Sequence, residues 1–185
     1  MDNFPLQVPF RFDTIPLLWT VPNIYSQAEC AGFIAMIEQA NPGLASNNPT
    51  FRNQDRVIVD DPAIASDLFN RLEPHLPHRI YRFQLRRLNE RLRFYRYNVG
   101  QQFAPHMDHW YQPSDREITL LTVLVYFNAN FTGGETRFME QLEDVIQPKP
   151  GLAAIFQHKI RHEGCEVRQG TKYALRTDAI YGLEE

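Results

Sequence analysis

The pattern of apolar and polar residues differs between the two halves of the chain, and the first half is helical in character. Four apolar residues recur there at helical spacing: Cys30, Phe33, Ile34 and Ile37. Ser26 stands before this run with Glu29 three residues later, which is typical of a helix N-terminus, and Asn41-Pro42-Gly43 follows it. The pattern therefore predicts a helix from Ser26 to Ala40.

A second helix is predicted after the polar stretch that follows. Pro62 suits the first turn of a helix that begins at Asp60 or Asp61, and Pro77 would stop it. Its apolar stripe consists of four residues: Ile64, Leu68, Leu72 and Leu76. The segment between the two helices, Leu44 to Arg56, is rich in Asn, Pro and Ser, so we expect a loop there.

From Arg91 onward the pattern is that of β-strands. The longest apolar run, Ile118 to Phe127, is typical of a strand that is covered on both faces. Gly133-Gly134 and the Pro-rich stretch 147–151 predict turns. Further strands are predicted at Arg91 to Val99, Glu135 to Met139, Leu152 to Gln157, around His162, and Lys172 to Tyr181. Several short strands after two helices favour a mainly β sandwich or barrel with flanking helices.

Length, composition and charge narrow the class of protein. A chain of 185 residues with 43% hydrophobic and 22% charged residues predicts one domain, 1–185, with helical support over about 1–90 and a β-core over about 91–185. A formal charge of −3 gives no reason to expect a nucleic-acid partner, and no apolar run approaches the roughly 20 residues of a membrane span. Cys30 and Cys165 suggest free thiols in the cytoplasm rather than a disulfide framework, and we find no secretion signal.

Three residues offer the chemistry of a metal site. His106-x-Asp108 and the distant His162 supply two imidazoles and one carboxylate, the ligand set that non-haem Fe(II) oxygenases use. His106 and Asp108 share strand parity, and a closed sheet would bring His162 beside them. A His-x-Asp pair is common by chance, so the spacing alone also allows a surface loop with two unrelated histidines.

Several motifs, this pair among them, resemble the prolyl 4-hydroxylase branch of the Fe(II)/2-oxoglutarate dioxygenases, in that family's order over about residues 90–181. They are Arg93-Phe94-Tyr95-Arg96-Tyr97-x-x-Gly100-Gln101, His106-x-Asp108, Tyr126-Phe127-Asn128, Gly133-Gly134-Glu135-Thr136-x-Phe138, Pro150-Gly151, His162-Glu163-Gly164 and Gly170-x-Lys172-Tyr173. The resemblance implies a double-stranded β-helix (jelly-roll) core packed against N-terminal helices. It implies Fe(II) held by the catalytic residues His106, Asp108 and His162, with 2-oxoglutarate and O2 as co-substrates and ascorbate as the reductant.

The resemblance also assigns residues that would bind 2-oxoglutarate. Lys172 matches the position that binds the 5-carboxylate, since a dicarboxylate in a dry barrel needs a cation at its far end. Tyr97 matches a tyrosine beside the co-substrate, although Tyr95 has the same strand parity. Arg176 shares parity with Lys172, so it would share that carboxylate, meet a substrate, or face Asp178.

One position departs from the oxygen-sensing relatives, which supply a tyrosine hydroxyl to the same carboxylate from the long central strand. We match that position to Val125, with Thr119 or Thr122 as substitutes. His158 is interpreted as a residue at the cavity mouth, and Cys165 as a buried thiol. His109, Trp110 and Tyr111 follow the Asp ligand directly, and a loop there predicts substrate contacts.

The resemblance therefore implies an oxygenase that hydroxylates an aliphatic C–H bond while 2-oxoglutarate is converted to succinate and CO2. The leading substrate is a proline in a protein or peptide. One alternative is a hydroxylase of a free amino acid or small natural product, and another is a cupin-like metal-binding sensor without turnover. Fold and iron chemistry transfer between such relatives more safely than substrate does.

Overall fold

Two α-helices lie in the first half of the computed structural model, which describes residues 6–140 and 142–184. Helix α1 spans Gln27–Gln39 and begins with the predicted reciprocal capping by Ser26 and Glu29. Helix α2 spans Pro62–Leu72, and the Asp61 carboxylate accepts hydrogen bonds from its first backbone N–H groups. Both helix starts are confirmed.

Helix α2 ends earlier than the apolar stripe predicted. A short 3-10 turn, Glu73–His75, replaces its last turn because Pro74 has no backbone N–H to continue the α-helical ladder. Leu76 lies beyond this turn but is buried all the same. Among the described residues, no helix combines the length and the apolar character that a membrane span requires.

Fifteen strands are present in the described part of the chain, and every strand predicted after Arg91 is confirmed. They are β1 (Leu18–Val21), β2 (Gly43–Leu44), β3 (Asp55–Asp60), β4 (Arg79–Ile80), β5 (Phe83–Leu88), β6 (Arg91–Tyr97), β7 (Phe103–His106), β8 (Glu117–Tyr126), β9 (Thr132–Gly133), β10 (Thr136–Phe138), β11 (Asp144–Ile146), β12 (Ala153–Gln157), β13 (His162–Gly164), β14 (Val167–Gln169) and β15 (Lys172–Leu183).

The strands form a large and a small antiparallel sheet that face each other across a cavity. The large sheet has the order β1-β12-β8-β15-β6-β3-β2, with β5 also paired to β15 and β4 to β5. The small sheet has the order β11-β10-β13-β7, and β14 pairs with β9 separately. Residues from both sheets line the cavity between them.

The first 90 residues contribute more than the predicted helical support, because five of the strands lie there. Strand β3 pairs with β6 along its whole length, although the sequence predicted a loop up to Arg56, a helix from Asp60 or Asp61, and no strand between them. Its short apolar centre, Val57 to Val59, is bounded by aspartates, and pairing with β6 rather than local preference makes it a strand.

Alternation along the large sheet separates a core from a cavity. One face packs against the helices and forms the main core, which includes Leu68, Leu72, Leu92, Phe94, Val123, Val125 and Leu175. The opposite face turns towards the small sheet with Tyr95, Tyr97, Thr122, Leu124, Lys172 and Ala174. Polar side chains are thus concentrated on the cavity face.

Candidate active site

Three potential metal ligands meet where the small sheet faces the large one. His106 ends β7 and lies directly opposite His162 of β13, so strand pairing itself brings the two imidazoles together. Asp108 follows two residues after His106. Its carboxylate oxygens lie 3.9 Å from His106 Nε2 and 3.8 Å from His162 Nε2, and all three ligand atoms lie within 4.8 Å of one another.

The second nitrogen of each imidazole is bound to the backbone. His106 Nδ1 lies 2.9 Å from the Ala104 carbonyl oxygen, and His162 Nδ1 lies 2.9 Å from that of Ile160. A carbonyl only accepts, so both Nδ1 atoms carry the proton and both Nε2 atoms present a lone pair towards Asp108.

The protonation state of these groups suits a metal. Burial lowers the pKa of His106 to about 4 and also lowers the pKa of His162, so both imidazoles are neutral near pH 7. Burial opposes ionisation of Asp108, but the Arg176 guanidinium and the nearby imidazoles hold the pKa of this carboxyl well below its ordinary value. Two neutral imidazoles and one carboxylate fit Fe(II).

Both oxygens of the Asp108 carboxylate are held by other side chains. Thr122 Oγ1 donates to Oδ2 at 2.6 Å, and Arg176 Nη2 lies 3.0 Å from Oδ1. Arg176 also pairs with Asp178 at 2.9 Å, so one of its three predicted contacts is present. Its pairing with Asp108 had no signal in the sequence.

A chain of hydrogen bonds runs from the loop after Asp108 back to its carboxylate. His158 Nδ1 lies 2.8 Å from Thr122 Oγ1, and His158 Nε2 lies 3.0 Å from Thr119 Oγ1, which accepts from the Tyr111 backbone N–H at 2.8 Å. Thr122 gives its only proton to the carboxylate, so His158 must donate through Nδ1. His158 Nε2 then accepts from Thr119, and every donor in the chain points towards Asp108.

His158 is therefore not the mouth residue that the sequence predicted. It is 1% exposed, its carbonyl oxygen accepts from the Asp108 N–H at 2.9 Å, and burial lowers its pKa to about 4. Parity with His162 suggested the mouth, but His158 lies in the turn after β12, where strand alternation no longer applies.

A buried ammonium group lies in the same cavity, away from the three ligands. Lys172 begins β15 and is 2% exposed, and its Nζ donates to the Gly134 carbonyl oxygen at 2.6 Å. The ammonium lies 4.9 Å from the ring centre of Tyr97 and 5.5 Å from that of Tyr126. Among the described residues no carboxylate pairs with it, and burial lowers its pKa to about 8. A buried cation without an acid is costly, so this position suits an anionic ligand.

Gly133 ends β9 instead of forming the predicted turn, and Gly134, in the link to β10, supplies the carbonyl that Lys172 contacts. Both glycines have positive φ, 75° and 68°. A Cβ on Gly133 would lie 2.2 Å from the Glu166 carbonyl oxygen, which explains why only glycine fits there.

The central strand does supply a tyrosine, and our match of that position to Val125 is wrong. Val125 packs in the main core on the helix side of the sheet. Tyr126, one residue later, faces Lys172, and its hydroxyl donates to Thr136 Oγ1 at 2.7 Å. Thr122, rather than Thr119, lines the cavity, but it contacts Asp108 and not Lys172. A one-residue error in register exchanged the two faces.

Of the other predicted site residues, Tyr97 and Tyr95 both line the cavity. The loop His109 to Tyr111 does not. His109 and Tyr111 are exposed, and Trp110 packs against the main core with the Lys159 ammonium 4.4 Å from its ring centre. Cys165 is only partly buried, whereas Cys30 is buried, and both are free thiols.

A segment of the predicted loop, Phe51 and Arg52, lies beside the metal ligands instead. Phe51 is 40% exposed with its ring centre 6.3 Å from that of His106. The Arg52 guanidinium lies 4.2 Å from the Phe103 ring centre and donates to the Tyr95 hydroxyl at 3.2 Å. No motif marks these residues, and only the pairing of Arg52 with Phe103 in space reveals them.

Comparisons with known proteins agree with this geometry. Residues 92–177 match the model of the 2OG-Fe(II) oxygenase superfamily. The viral collagen prolyl hydroxylase of Paramecium bursaria Chlorella virus-1, in a 2OG complex, is 21% identical with a TM-score of 0.66, over 91% of this chain and 97% of that chain. A Pseudomonas putida prolyl-4-hydroxylase is 15% identical with a TM-score of 0.65, over 91% and 94%.

A third solved structure is a Trichoplax adhaerens prolyl hydroxylase in complex with a hypoxia-inducible-factor peptide fragment. It is 15% identical with a TM-score of 0.64, over 88% of this chain and 83% of that chain. The comparison with curated proteins gives no match. At identities this low, the likeness to these structures establishes the fold alone. The predicted double-stranded β-helix is thereby confirmed.

Proposed function

We propose that this chain, of which residues 92–177 match the 2OG-Fe(II) oxygenase model, is a 2-oxoglutarate-dependent iron dioxygenase that hydroxylates a prolyl residue of a protein or peptide. The reaction would convert 2-oxoglutarate to succinate and CO2. One observation carries this proposal: three metal ligands converge, and two of them, His106 and His162, line one cavity together with the buried Lys172 ammonium, which has no acidic partner among the described residues.

His106, Asp108 and His162 are the proposed ligands of Fe(II). When bound, iron supplies the activation of O2, and the protein supplies position and exclusion of water. The carbonyls of Ala104 and Ile160 fix the two imidazoles with Nε2 towards the cavity. The side chains that hold Asp108 fix the third ligand in the same way.

Lys172 is the proposed anchor of the far carboxylate of 2-oxoglutarate. Its ammonium is close to the rings of Tyr97 and Tyr126, whose hydroxyls we propose as further contacts of the co-substrate. Arg176 lines the same cavity, but Asp108 and Asp178 already neutralise it. We therefore rank Lys172 ahead of Arg176 as the anchor.

The substrate and its surroundings are proposals of a further step. Phe51 and the exposed Met107 flank His106 in space and in sequence, and we propose that the target residue enters there. Contacts of His109, Trp110 and Tyr111 with substrate stay a prediction. So do ascorbate as the reductant, a cytoplasmic location, and a single domain over residues 1–185.

The test is turnover with Fe(II), 2-oxoglutarate, O2 and ascorbate, with and without proline-containing peptides. We expect succinate, and a peptide mass increased by one oxygen atom on proline. Oxygen incorporation into free amino acids alone would favour the small-molecule hydroxylase. Tight metal binding without succinate under any condition would contradict an oxygenase and favour the metal-binding sensor.

A further inference from the structure

Four arginines stand beside the cavity on strands β3 and β6 and the segment before β3, and we propose that they bind an acidic stretch of a peptide substrate. We refer to Arg52, Arg56, Arg91 and Arg93 as the arginine rim. This inference rests on the proposed function, because it concerns the substrate of the same site.

Strand register places three of these residues on the cavity face of the large sheet. Arg56 lies directly opposite Tyr95, which lines the cavity. Arg93 lies directly opposite Arg176, which also lines it, and Arg91 follows Arg93 with the same parity. Residues opposite each other in an antiparallel pair project from the same face, so the rim continues the cavity wall.

Arg52 joins the rim from the loop before β3. Its guanidinium donates to the Tyr95 hydroxyl at 3.2 Å and lies 4.2 Å from the Phe103 ring centre. Tyr95 and Phe103 both line the cavity, so Arg52 lies at its edge.

The positive charge of the rim exceeds the acid beside it. Arg91 pairs with Asp60 at 3.3 Å with both side chains more than half exposed, which is a weak surface pair. Arg93 pairs with Asp178 at 3.2 Å, but Asp178 is shared with Arg176.

Arg56 has no ion pair among the described residues. It is half-buried, and this burial together with the neighbouring rim guanidiniums lowers its pKa. Neighbouring like charges destabilise a fold. The four arginines are nevertheless clustered here, although the whole chain has a formal charge of −3. The surplus therefore indicates an anionic ligand.

The length of the rim favours a peptide over a single carboxylate. Arg56 faces Tyr95, and Arg91 faces Asp60 four residues further along β3. At the rise of a β-strand this corresponds to roughly 13 Å, or about four residues of an extended chain. Beside Arg93, in the middle of the row, Arg176 Nε is buried without a hydrogen-bond partner among the described atoms, so a donor is available on the cavity side of the row. The ligand we infer carries two or more Asp or Glu residues near its target proline.

The experiment measures binding of three fluorescent peptides of equal length with one central proline and acidic, serine or lysine flanks. The protein is loaded with Mn(II) and N-oxalylglycine, an inert stand-in for 2-oxoglutarate. We expect the acidic peptide to bind about tenfold more tightly than the serine peptide, and this preference to disappear at high salt.

Arg56→Glu should abolish the preference for the acidic peptide, and Arg56→Gln should reduce it. Lys149→Glu is the matched control, because it changes the net charge equally on an exposed residue just before β12, four strands away from β3 or roughly 19 Å. Thermal unfolding of each variant establishes that it is folded.

Equal affinity for the acidic and serine peptides, or a preference that survives Arg56→Glu, would overturn the proposal. So would competition by free glutamate as effective as that of the acidic peptide, since a small carboxylate would then suffice. Succinate formation by the unaltered protein is measured separately, with and without each peptide. Its absence under every condition would refute the proposed function alone, whereas its presence without an acidic preference would refute only the arginine rim.

Discussion

The metal end and the Lys172 end of the cavity differ in how their polar groups are satisfied. At the metal end, both histidines donate to backbone carbonyls, one Asp108 oxygen accepts a hydrogen bond from Thr122, and the other pairs with Arg176. At the other end, Lys172 keeps a buried ammonium with a single carbonyl contact among the described residues. The metal ligands, which must hold one orientation, thus have protein partners for their polar atoms. The Lys172 ammonium, which we propose receives a ligand, has no protein counter-ion among the described residues.

The largest expected effect is on the metal end. Asp108→Ala removes the only carboxylate of the three ligands. Loss of a residue that merely hydrogen-bonds to a metal ligand lowers metal affinity by up to roughly 100-fold, so loss of the ligand itself should lower Mn(II) affinity by more than that. Succinate formation should disappear with it. Calorimetric titration with Mn(II) measures the first effect. Asp115→Ala, at an exposed acid in the same loop region, is the control and should bind Mn(II) normally.

Lys172→Ala tests the other end by itself. Loss of one partner of a buried ion pair costs about 3 kcal/mol or more, so 2-oxoglutarate affinity should fall by at least about 100-fold. Mn(II) affinity without the co-substrate should stay as in the unaltered protein. If metal and co-substrate affinity fell together, the two ends would not be separate functional units. Lys149→Ala, at an exposed lysine, provides the control.

Substitutions of Thr122 test whether its hydrogen bond to Asp108 contributes to metal affinity. Thr122→Val keeps the shape but removes the hydroxyl between Asp108 and His158, so metal affinity should fall about 10- to 100-fold. Thr122→Ser keeps the hydroxyl and should restore most of the affinity. The d–d spectrum of Co(II)-loaded protein should change in the valine variant only. Identical spectra and affinities for both variants would remove Thr122 from the positioning of Asp108.

The difference between the two ends also explains what the sequence could predict. Residue spacing along the chain was sufficient to predict the capping of α1 by Ser26 and Glu29 and the approach of His106 to Asp108. Lys172 followed from resemblance and from the charge of a dicarboxylate. Each of these depends on residues close in sequence or on one family motif.

What the sequence could not predict depends on contacts between distant strands. The position of His158 is set by a turn that ends strand parity, and the pairing of Arg176 with Asp108 joins β15 to the loop after β7. To choose between Val125 and Tyr126, one must know which residues of β8 face the cavity, because a shift of one residue moves every side chain to the other face of the sheet. Strand β3 required β6 as a partner.

The charge of Lys172 predicts a pH dependence. Its pKa is lowered to about 8, so the cation that binds the dicarboxylate is present below that pH and is lost as the pH rises through it. Between pH 7 and pH 9 the affinity for 2-oxoglutarate should therefore fall about tenfold. Lys172→Arg, whose guanidinium stays protonated, should bind with an affinity that is nearly constant over this range. An equally steep decrease in the arginine variant would assign the titration to another group.

The smallest expected effect separates stability from co-substrate binding at the Lys172 end. Tyr126→Phe removes a buried hydroxyl that donates to Thr136, so the free energy of unfolding should decrease by about 1 kcal/mol. Tyr181→Phe is a matched control, because that hydroxyl also donates one hydrogen bond, to the Pro77 carbonyl, but lies in the main core. Both variants should lose similar stability in urea unfolding. Only Tyr126→Phe should weaken 2-oxoglutarate binding, by a few-fold and far less than Lys172→Ala, because the ammonium carries most of the interaction with the dicarboxylate. Equal co-substrate affinity in the two variants would show that Tyr126 supports the wall of the cavity without contacting its ligand.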